Sequence, residues 1–419
     1  MKQFEQARSE LLDIFKAGLA AVEGRAVVAR YLAQHPVAGA CSLVALGKAA
    51  GAMALGALET LGEGVIDGLV ISKPGHLPRG LFNHPQLTLI EGGHPLPDRS
   101  SLEAGAALLD FLSHLPPERA LLFLISGGTS SLVEVLRPGV GLADLQRVNR
   151  WLLGSGLPIE KMNRIRKSLS AIKGGGLLRY VGGRSVTGLF ISDVRWDDPA
   201  VIGSGLLAAG GEAQESADPG NLPDWLLELM AAGKPERPTA TPQPVLQVVA
   251  TLRDAREGAA QAAQALGYET MVSHAFINAG AENVGRRLAL ELLDSRPGVY
   301  IWGGEPSVRL PRQPGRGGRN QHLALSVASV IDGTDDILFL SAGTDGTDGP
   351  GEEAGALVDG ATLMRARRHG FDADHTLALA DSGSLLAASG DLICTGPTGT
   401  NVMDLMIGLR IEQKHGYGE

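Results

Sequence analysis

The 419-residue sequence holds only two cysteines, Cys41 and Cys394, and no Cys/His spacing of the zinc-binding kind. A disulfide framework is thereby excluded, and both cysteines sit in apolar stretches expected to be buried strands with reduced thiols. No apolar run approaches the roughly 20 residues that span a bilayer. The first residues place Glu5, Glu10 and Asp13 inside a helical pattern, unlike a secretory leader, so the cytoplasm is the expected compartment. A basic excess is also lacking. There are 46 acidic against 37 basic residues, a net charge of −9, which argues against nucleic-acid or anionic-membrane partners while leaving room for a local basic pocket that takes an anionic metabolite. Neither Gly-x-x-x-x-Gly-Lys-Ser/Thr nor Gly-x-Gly-x-x-Gly occurs at a strand exit. Internal repeats and collagen-like periodicity are absent. Composition leaves the oligomeric state open, a homodimer included.

Glycine is what the chain has in excess: 57 residues, roughly twice the usual fraction of about 7%. The glycines cluster after apolar runs, where strand-to-helix loops bring backbone close to a ligand. Apolar runs at 41–47, 64–72, 86–91, 121–126 and 187–194 alternate with helical patterns such as 4–34, 49–61 and 101–112. Alternation of this kind predicts right-handed βαβ units and a doubly wound, Rossmann-like parallel sheet. Proline and glycine break the rhythm at 212–244, which is expected to be the linker between an N-terminal domain (1–240) and a smaller α/β C-terminal domain (245–419).

Six segments carry groups suited to chemistry. In Gly47-Lys48-Ala49-Ala50-Gly51 a lysine stands at the exit of a buried strand, aimed as a point charge at the crevice where ligands bind. Ser126-Gly127-Gly128-Thr129-Ser130-Ser131 follows another buried strand and has the makings of an anion cradle of amides and hydroxyls. In residues 158–176, helical spacing puts Asn163, Arg166, Ser170 and Lys173 on one polar stripe that suits a carboxylate or phosphate. Asp193 ends a strand, where a carboxylate is costly unless it meets a cation or donors, so it is a metal candidate. Glu305 stands at a further strand tip, and the loop Gly315–Gln321 presents Gly317, Gly318, Arg319 and Asn320 at a helix start, the arginine matching phosphate bidentately. The run 341–350 holds Asp345 and Asp348 among glycines, suited to a metal or a substrate hydroxyl.

Taken in order, LGKAAGAM, GGHPLPD, ISGGTSSL, NRIRKSLSAIKGG, SDVRWDDP, GGEPSV, GRGGRNQHLAL, SAGTDGTDGP and TGPTGTNVMDL resemble the type 2 glycerate kinase (glycerate 2-kinase, MOFRL) family over almost the whole chain. The resemblance implies two domains with an active site in the cleft between them. It also implies transfer of phosphate from ATP to D-glycerate, giving 2-phosphoglycerate, with a divalent cation such as Mg2+. The family's catalytic lysine and arginine would fall on Lys48 and Arg319. Where the family reads like Ser-Asp-Val-Pro-Gly-Asp-Asp-Pro this chain has Arg195-Trp196, its Ala-Ser-Gly-Pro-Thr stretch is here Gly203-Ser204-Gly205-Leu206-Leu207, and Ser168 stands for a histidine. These departures bear on the substrate, which another short sugar acid such as an erythronate-like compound would also fit.

On this reading Lys48 and Arg319 stabilise the transferring group, Gly47 and residues 126–130 with Gly317 and Gly318 cradle phosphate, and Asn163, Arg166, Lys173 and Asn320 hold the acid. Asp193, Glu305 and Asp345 are metal candidates, and Asp193 or Asp345 would serve as base. Two alternatives come from other classes: an NAD(P)H-dependent hydroxypyruvate reductase, which would need the Gly-x-Gly-x-x-Gly loop, and a non-catalytic sugar-acid sensor.

Overall fold

The computed structural model describes residues 2–157, 159–208, 222–232 and 243–412. The chain opens with α1 (Lys2–Ala21) and α2 (Gly24–Gln34), followed by β1 (Cys41–Leu46), α3 (Ala50–Leu61), β2 (Val65–Ser72), β3 (Leu87–Glu91), α4 (Arg99–His114) and β4 (Ala120–Ile125). Next come α5 (Thr129–Leu132), α6 (Leu142–Gly154), α7 (Ile159–Leu169), β5 (Val186–Ile191), α8 (Asp224–Ala231), β6 (Val245–Ala250) and α9 (Leu252–Ala265). The remainder holds β7 (Thr270–Ile277), α10 (Ala281–Leu293), β8 (Gly298–Gly304), α11 (Arg319–Val330), β9 (Ile337–Gly343) and β10 (Gly355–Asp359). It closes with α12 (Thr362–Arg367), α13 (Ala373–Ala378), α14 (Ser382–Ser389), β11 (Leu392–Ile393) and β12 (Asp404–Arg410).

Two compact units result, residues 24–249 and residues 1–23 with 250–419. The first is built on a six-stranded sheet in the order β3-β2-β1-β4-β5-β6, with β1, β2, β3, β4 and β5 mutually parallel. CSLVAL and ALLFLI are buried at every position because both faces of the sheet are covered, which is why they read as continuous apolar runs. Val44, Leu46, Phe123, Ile125 and Phe190 pack with Leu108 and Leu112 of α4 on one face. Asp98 caps α4 in a reciprocal box with Ser101, which fixes where that helix begins. A small separate core gathers Val148 and Leu152 of α6, Ile165 and Leu169 of α7 and Leu226 of α8. Strand order reverses between β1 and β4, and in such sheets the crevice beyond the carboxyl ends of these two strands receives ligands.

The second unit has the order β11-β10-β9-β12-β8-β7. Here β12 runs antiparallel to both β8 and β9, so the sheet is mixed. Alternate residues serve two cores. Trp302, Phe339 and Met406 pack with α10 and α11 on one face, and Ile301, Leu340 and Ile407 pack with α1 and α9 on the other.

Several expectations change. The first helix, expected in the N-terminal domain, belongs with the C-terminal half because Leu11, Ile14 and Phe15 complete a core there. Arg8 fastens it further, pairing with Asp359 and Asp391. Strand β6, expected to begin the second domain, is the edge of the first sheet, so the chain passes between units at 249–250 rather than within 212–244. That stretch is not linker throughout, since 222–232 contains α8; residues 212–221 and 233–242 lie outside the described residues. The expected helix over 158–176 ends at Leu169, where Ser170 forms a β-bridge with Leu136, so Lys173 is not on the same stripe as Asn163 and Arg166. Cys41 is buried in β1, but Cys394 is exposed just after the short β11. Among the described residues, no helix is long and apolar enough to cross a membrane.

Candidate active site

The loops leaving β1 and β4 are tied to each other. Lys48 N–H donates to the Gly127 carbonyl (2.9 Å), Ala49 N–H to Ser126 Oγ (3.0 Å), and Ser126 N–H to the Leu46 carbonyl (2.9 Å). Ser72 Oγ donates to the Gly47 carbonyl (2.9 Å), adding the exit of β2. So close a crossing leaves no room for a side chain at position 47: with φ of +116°, a Cβ there would stand 2.3 Å from Ser126 Oγ. Lys48 then projects beside Gly128, whose own missing Cβ would lie 3.1 Å from Lys48 Cγ.

Next to this crossing is a cavity of about 270 Å³. Its polar lining comes from Ser130 and Ser131 after β4, Asn149 of α6, Asn163 and Arg166 of α7, with Lys173, Asp193 and Ser204. Arg166 is half-buried and donates to Asn149 Oδ1 (3.0 Å) and Asn163 Oδ1 (3.4 Å). It has no carboxylate partner among the described residues, and burial alone moves it below its ordinary value. A partly desolvated cation without a counter-ion favours an anionic guest. Lys173 differs. Its ammonium is buried against Glu134 (2.5 Å) and donates to the Ser130 carbonyl (2.8 Å), so its charge is already compensated.

Several expected cradle groups are used internally. The Ser126 hydroxyl receives Ala49 N–H, and Thr129 Oγ1 donates to the Ser126 carbonyl (2.7 Å), both fully buried. The amides of Lys48 and Ala49 are likewise spent on the neighbouring loop, so neither is left for a ligand. With only four residues, α5 supplies little dipole. Of the residues 126–131, Gly128, Ser130 and Ser131 line the cavity.

In the second unit, Arg319 opens α11. It clasps Asp404 through Nε (2.6 Å) and Nη2 (3.0 Å) and Glu305 through Nη1 (2.7 Å). Among the described residues three of its five donors are thus engaged and two remain. Burial opposes the guanidinium's charge, but Asp404, Glu305 and Asp348 more than offset it, so Arg319 stays cationic well above its usual range. Burial pushes Asp404 up to about 6 against the pull of Arg319. The α11 N-terminus, expected to receive phosphate, is filled by the protein itself: Asp348 accepts from Asn320 N–H (3.0 Å) and Gln321 N–H (2.8 Å). Burial raises Asp348, and these amides oppose that. Gly318 is needed because a Cβ would meet Asp348 at 2.4 Å, and Gly317 lies against Ser382 and Gly383. Asn320, expected at the substrate, is fully buried, with Oδ1 accepting from Ser341 Oγ (2.6 Å) and Nδ2 donating to Asp348 (3.3 Å). Asn320 and Gly318 are thus engaged with Asp348, and Gly317 with Ser382 and Gly383.

Magnesium bound with a nucleotide needs one or two carboxylates beside the phosphates. Among the described residues there is no cluster of three or more metal-binding side chains. Asp193 lines the cavity and fits the requirement. Glu305 is paired with Arg319, and Asp345 Oδ1 accepts from Thr347 N–H (2.9 Å) and Oγ1 (3.1 Å). The departures near the cavity are an exposed Trp196 (77%) with Arg195 lying 4.6 Å over its ring. Asn149, Ser204, Glu134 and Asp404 were missed as site residues. Glu134, an acid within an apolar run, was the one with a sequence signal.

Residues 10–218 match the family described as a domain of unknown function (DUF4147), and residues 298–404 match the MOFRL family. A Thermotoga maritima protein named D-glycerate 2-kinase is 36% identical over 379 residues, covering 88% of this chain and 90% of that protein. An Agrobacterium vitis protein with a provisional hydroxypyruvate reductase name is 35% identical, covering 95% of this chain and 93% of its own. The crystal structure of a Thermotoga maritima glycerate kinase superposes with a TM-score of 0.84 at 33% identity, covering 97% of this chain and 100% of that one.

Proposed function

The chain belongs to the glycerate 2-kinase (MOFRL) family, and from that premise we propose that it transfers the γ-phosphoryl group of ATP to the 2-hydroxyl of D-glycerate. The observation that carries the reading on this chain's own residues is Arg166. It is a half-buried guanidinium without a counter-ion among the described residues, held by two asparagines at a cavity beside the Lys48 loop. A small acid bound there would place its carboxylate on Arg166 and Asn163 and its hydroxyls towards Ser130 and Ser204.

The 2-hydroxyl oxygen forms a bond to the γ-phosphorus while the bond from that phosphorus to the ADP oxygen breaks. The transition state is loose, so positioning and charge neutralisation do most of the work. Lys48 supplies a positive charge to the transferring group, and Arg319, with two donors unengaged among the described residues, is suited to meet a phosphate. Asp193 is the carboxylate that would hold a magnesium ion brought in with the nucleotide, which would offset phosphate charge. If the phosphates alone hold the metal, Asp193 is the acceptor for the hydroxyl proton, as the one carboxylate among the described lining residues. The cytoplasm is where ATP and a three-carbon acid would meet it.

The provisional name of the Agrobacterium relative motivates a second reading, reduction of hydroxypyruvate with a nicotinamide cofactor. Against it stands the β1 loop, which lacks Gly-x-Gly-x-x-Gly and has its amides at 48 and 49 engaged. One assay separates the two: ADP release with ATP, magnesium and D-glycerate, run beside NADH oxidation with hydroxypyruvate. ADP release that depends on the acid supports the kinase. NADH oxidation without ADP release overturns it.

A further inference from the structure

Resting on the reading of the cavity as the acid site, we propose that Lys173, held by Glu134, is a positioning residue that sets the Ser130–Ser204 hydroxyl pair against the bound acid. Lys173 and Glu134 have side chains 2% and 1% exposed and stand 2.5 Å apart. Glu134 is itself fixed, its Oε1 accepting from Ser170 Oγ (2.6 Å) and Val135 N–H (3.1 Å). From this anchor the Lys173 ammonium donates to the Ser130 carbonyl (2.8 Å). The next two amides hold the facing wall: Gly174 N–H donates to the Ser204 carbonyl (3.0 Å) and Gly175 N–H to that of Gly205 (2.6 Å). Residues 173–175 thus staple the loop after β4 to the turn after β5, and Ser130 Oγ meets Ser204 Oγ at 2.8 Å across them.

Two further observations give the staple its purpose. Gly203, Ser204 and Gly205 all have positive φ (57°, 65° and 69°), a conformation that serine adopts only when its surroundings impose it. A buried ion pair is also a poor stabiliser, since apolar residues of similar volume serve the fold as well. Nor does Lys173 attract an anion, because Glu134 cancels its charge. What an apolar pair could not provide is the donor to the Ser130 carbonyl, and with it the placement of two hydroxyls that line the cavity.

The test is the double variant Glu134→Leu/Lys173→Met, which removes both charges together. It is expected to melt within a few degrees of wild type. Its kcat/KM for D-glycerate should fall about 100-fold, the scale of a small misplacement of binding groups, with KM for ATP unchanged. Ser204→Ala should lower kcat/KM in wild type and have no further effect in the double variant. Amide hydrogen exchange, which needs no turnover, should quicken at 126–131 and 202–205. A well-folded double variant with full kcat/KM and unchanged protection overturns the proposal. So does a fully additive effect of Ser204→Ala. Should the double variant not fold, Lys173→Arg keeps the charge, moves the donors and is expected to show the same split; full activity in it overturns the proposal. If wild type turns over no hydroxy acid at all, the acid-site reading fails while the exchange measurement still decides the staple.

Discussion

Replacing Gly47 with alanine tests how tightly the two loops cross. Two costs arise there. The backbone holds φ at +116°, and the new Cβ would stand 2.3 Å from Ser126 Oγ and 2.5 Å from the Ser126 carbonyl. Gly39→Ala is the matched control in the same unit, with φ of +75° and nothing within 4 Å of the new carbon. The control isolates the dihedral cost of about 1 kcal/mol. Gly47→Ala adds overpacking of about 1–3 kcal/mol and loss of a loop hydrogen bond of about 1 kcal/mol. The expected total is about 3–5 kcal/mol, against about 1 kcal/mol for the control. For a unit of this size each kcal/mol moves the midpoint by about 2–4 °C, so thermal unfolding should separate the variants by on the order of 10 °C. The Gly47 variant should also lose most activity, since Lys48 leaves the same crossing. Equal melting shifts in the two variants would mean that the loops do not cross closely at Gly47.

Arg166→Met should raise KM for the acid about 10- to 100-fold while leaving KM for ATP in place, because a charge-assisted carboxylate contact contributes about 1.5–3 kcal/mol; initial rates over both substrates check it. Asp404, held near 6 by burial, is ionised above that pH and pairs with Arg319 only then. Accordingly kcat/KM should rise with pH through about 6, and Asp404→Asn should abolish that limb in a pH–rate profile. The same shift has the opposite sign for stability. With the folded value above the ordinary carboxylate value, the group's contribution is present at low pH and lost as pH rises through about 6, which denaturation at pH 4.5 and 7.5 would reveal. Asn320→Ala should lower the melting temperature without changing KM for the acid, as its amide is spent on Asp348 and Ser341.

The strand exits were the most legible part of the sequence. CSLVALG and LLFLIS announce buried parallel strands, and the glycines that follow them mark the place where two loops cross. What could not be read was which glycine serves a ligand and which serves the chain. Gly318 is demanded by the Asp348 carboxylate, 30 residues on, and Gly47 by Ser126, 79 residues on; neither approach has a local sequence signature. The polar stripe from Asn163 to Lys173 failed for a similar reason. Helical spacing continues past Leu169, but tertiary pairing of Ser170 with Leu136 ends the helix and sends Lys173 to Glu134. Helix α1 has an ordinary amphipathic pattern, which says that it buries a face without saying in which unit.

Phosphoryl transfer to a hydroxyl of a short acid, with Lys48 serving the transferring group, makes a product that can be read directly. Phosphorus NMR of the product formed from ATP and D-glycerate by wild type and by Lys48→Ala tests it most directly. Wild type should give a phosphate ester whose signal is split into a doublet by the single proton on C2. The variant should work about 100-fold to 1,000-fold more slowly, the scale of losing one charge-stabilising donor, at an unchanged melting temperature. No phosphate ester from wild type, or wild-type turnover from Lys48→Ala, would contradict it.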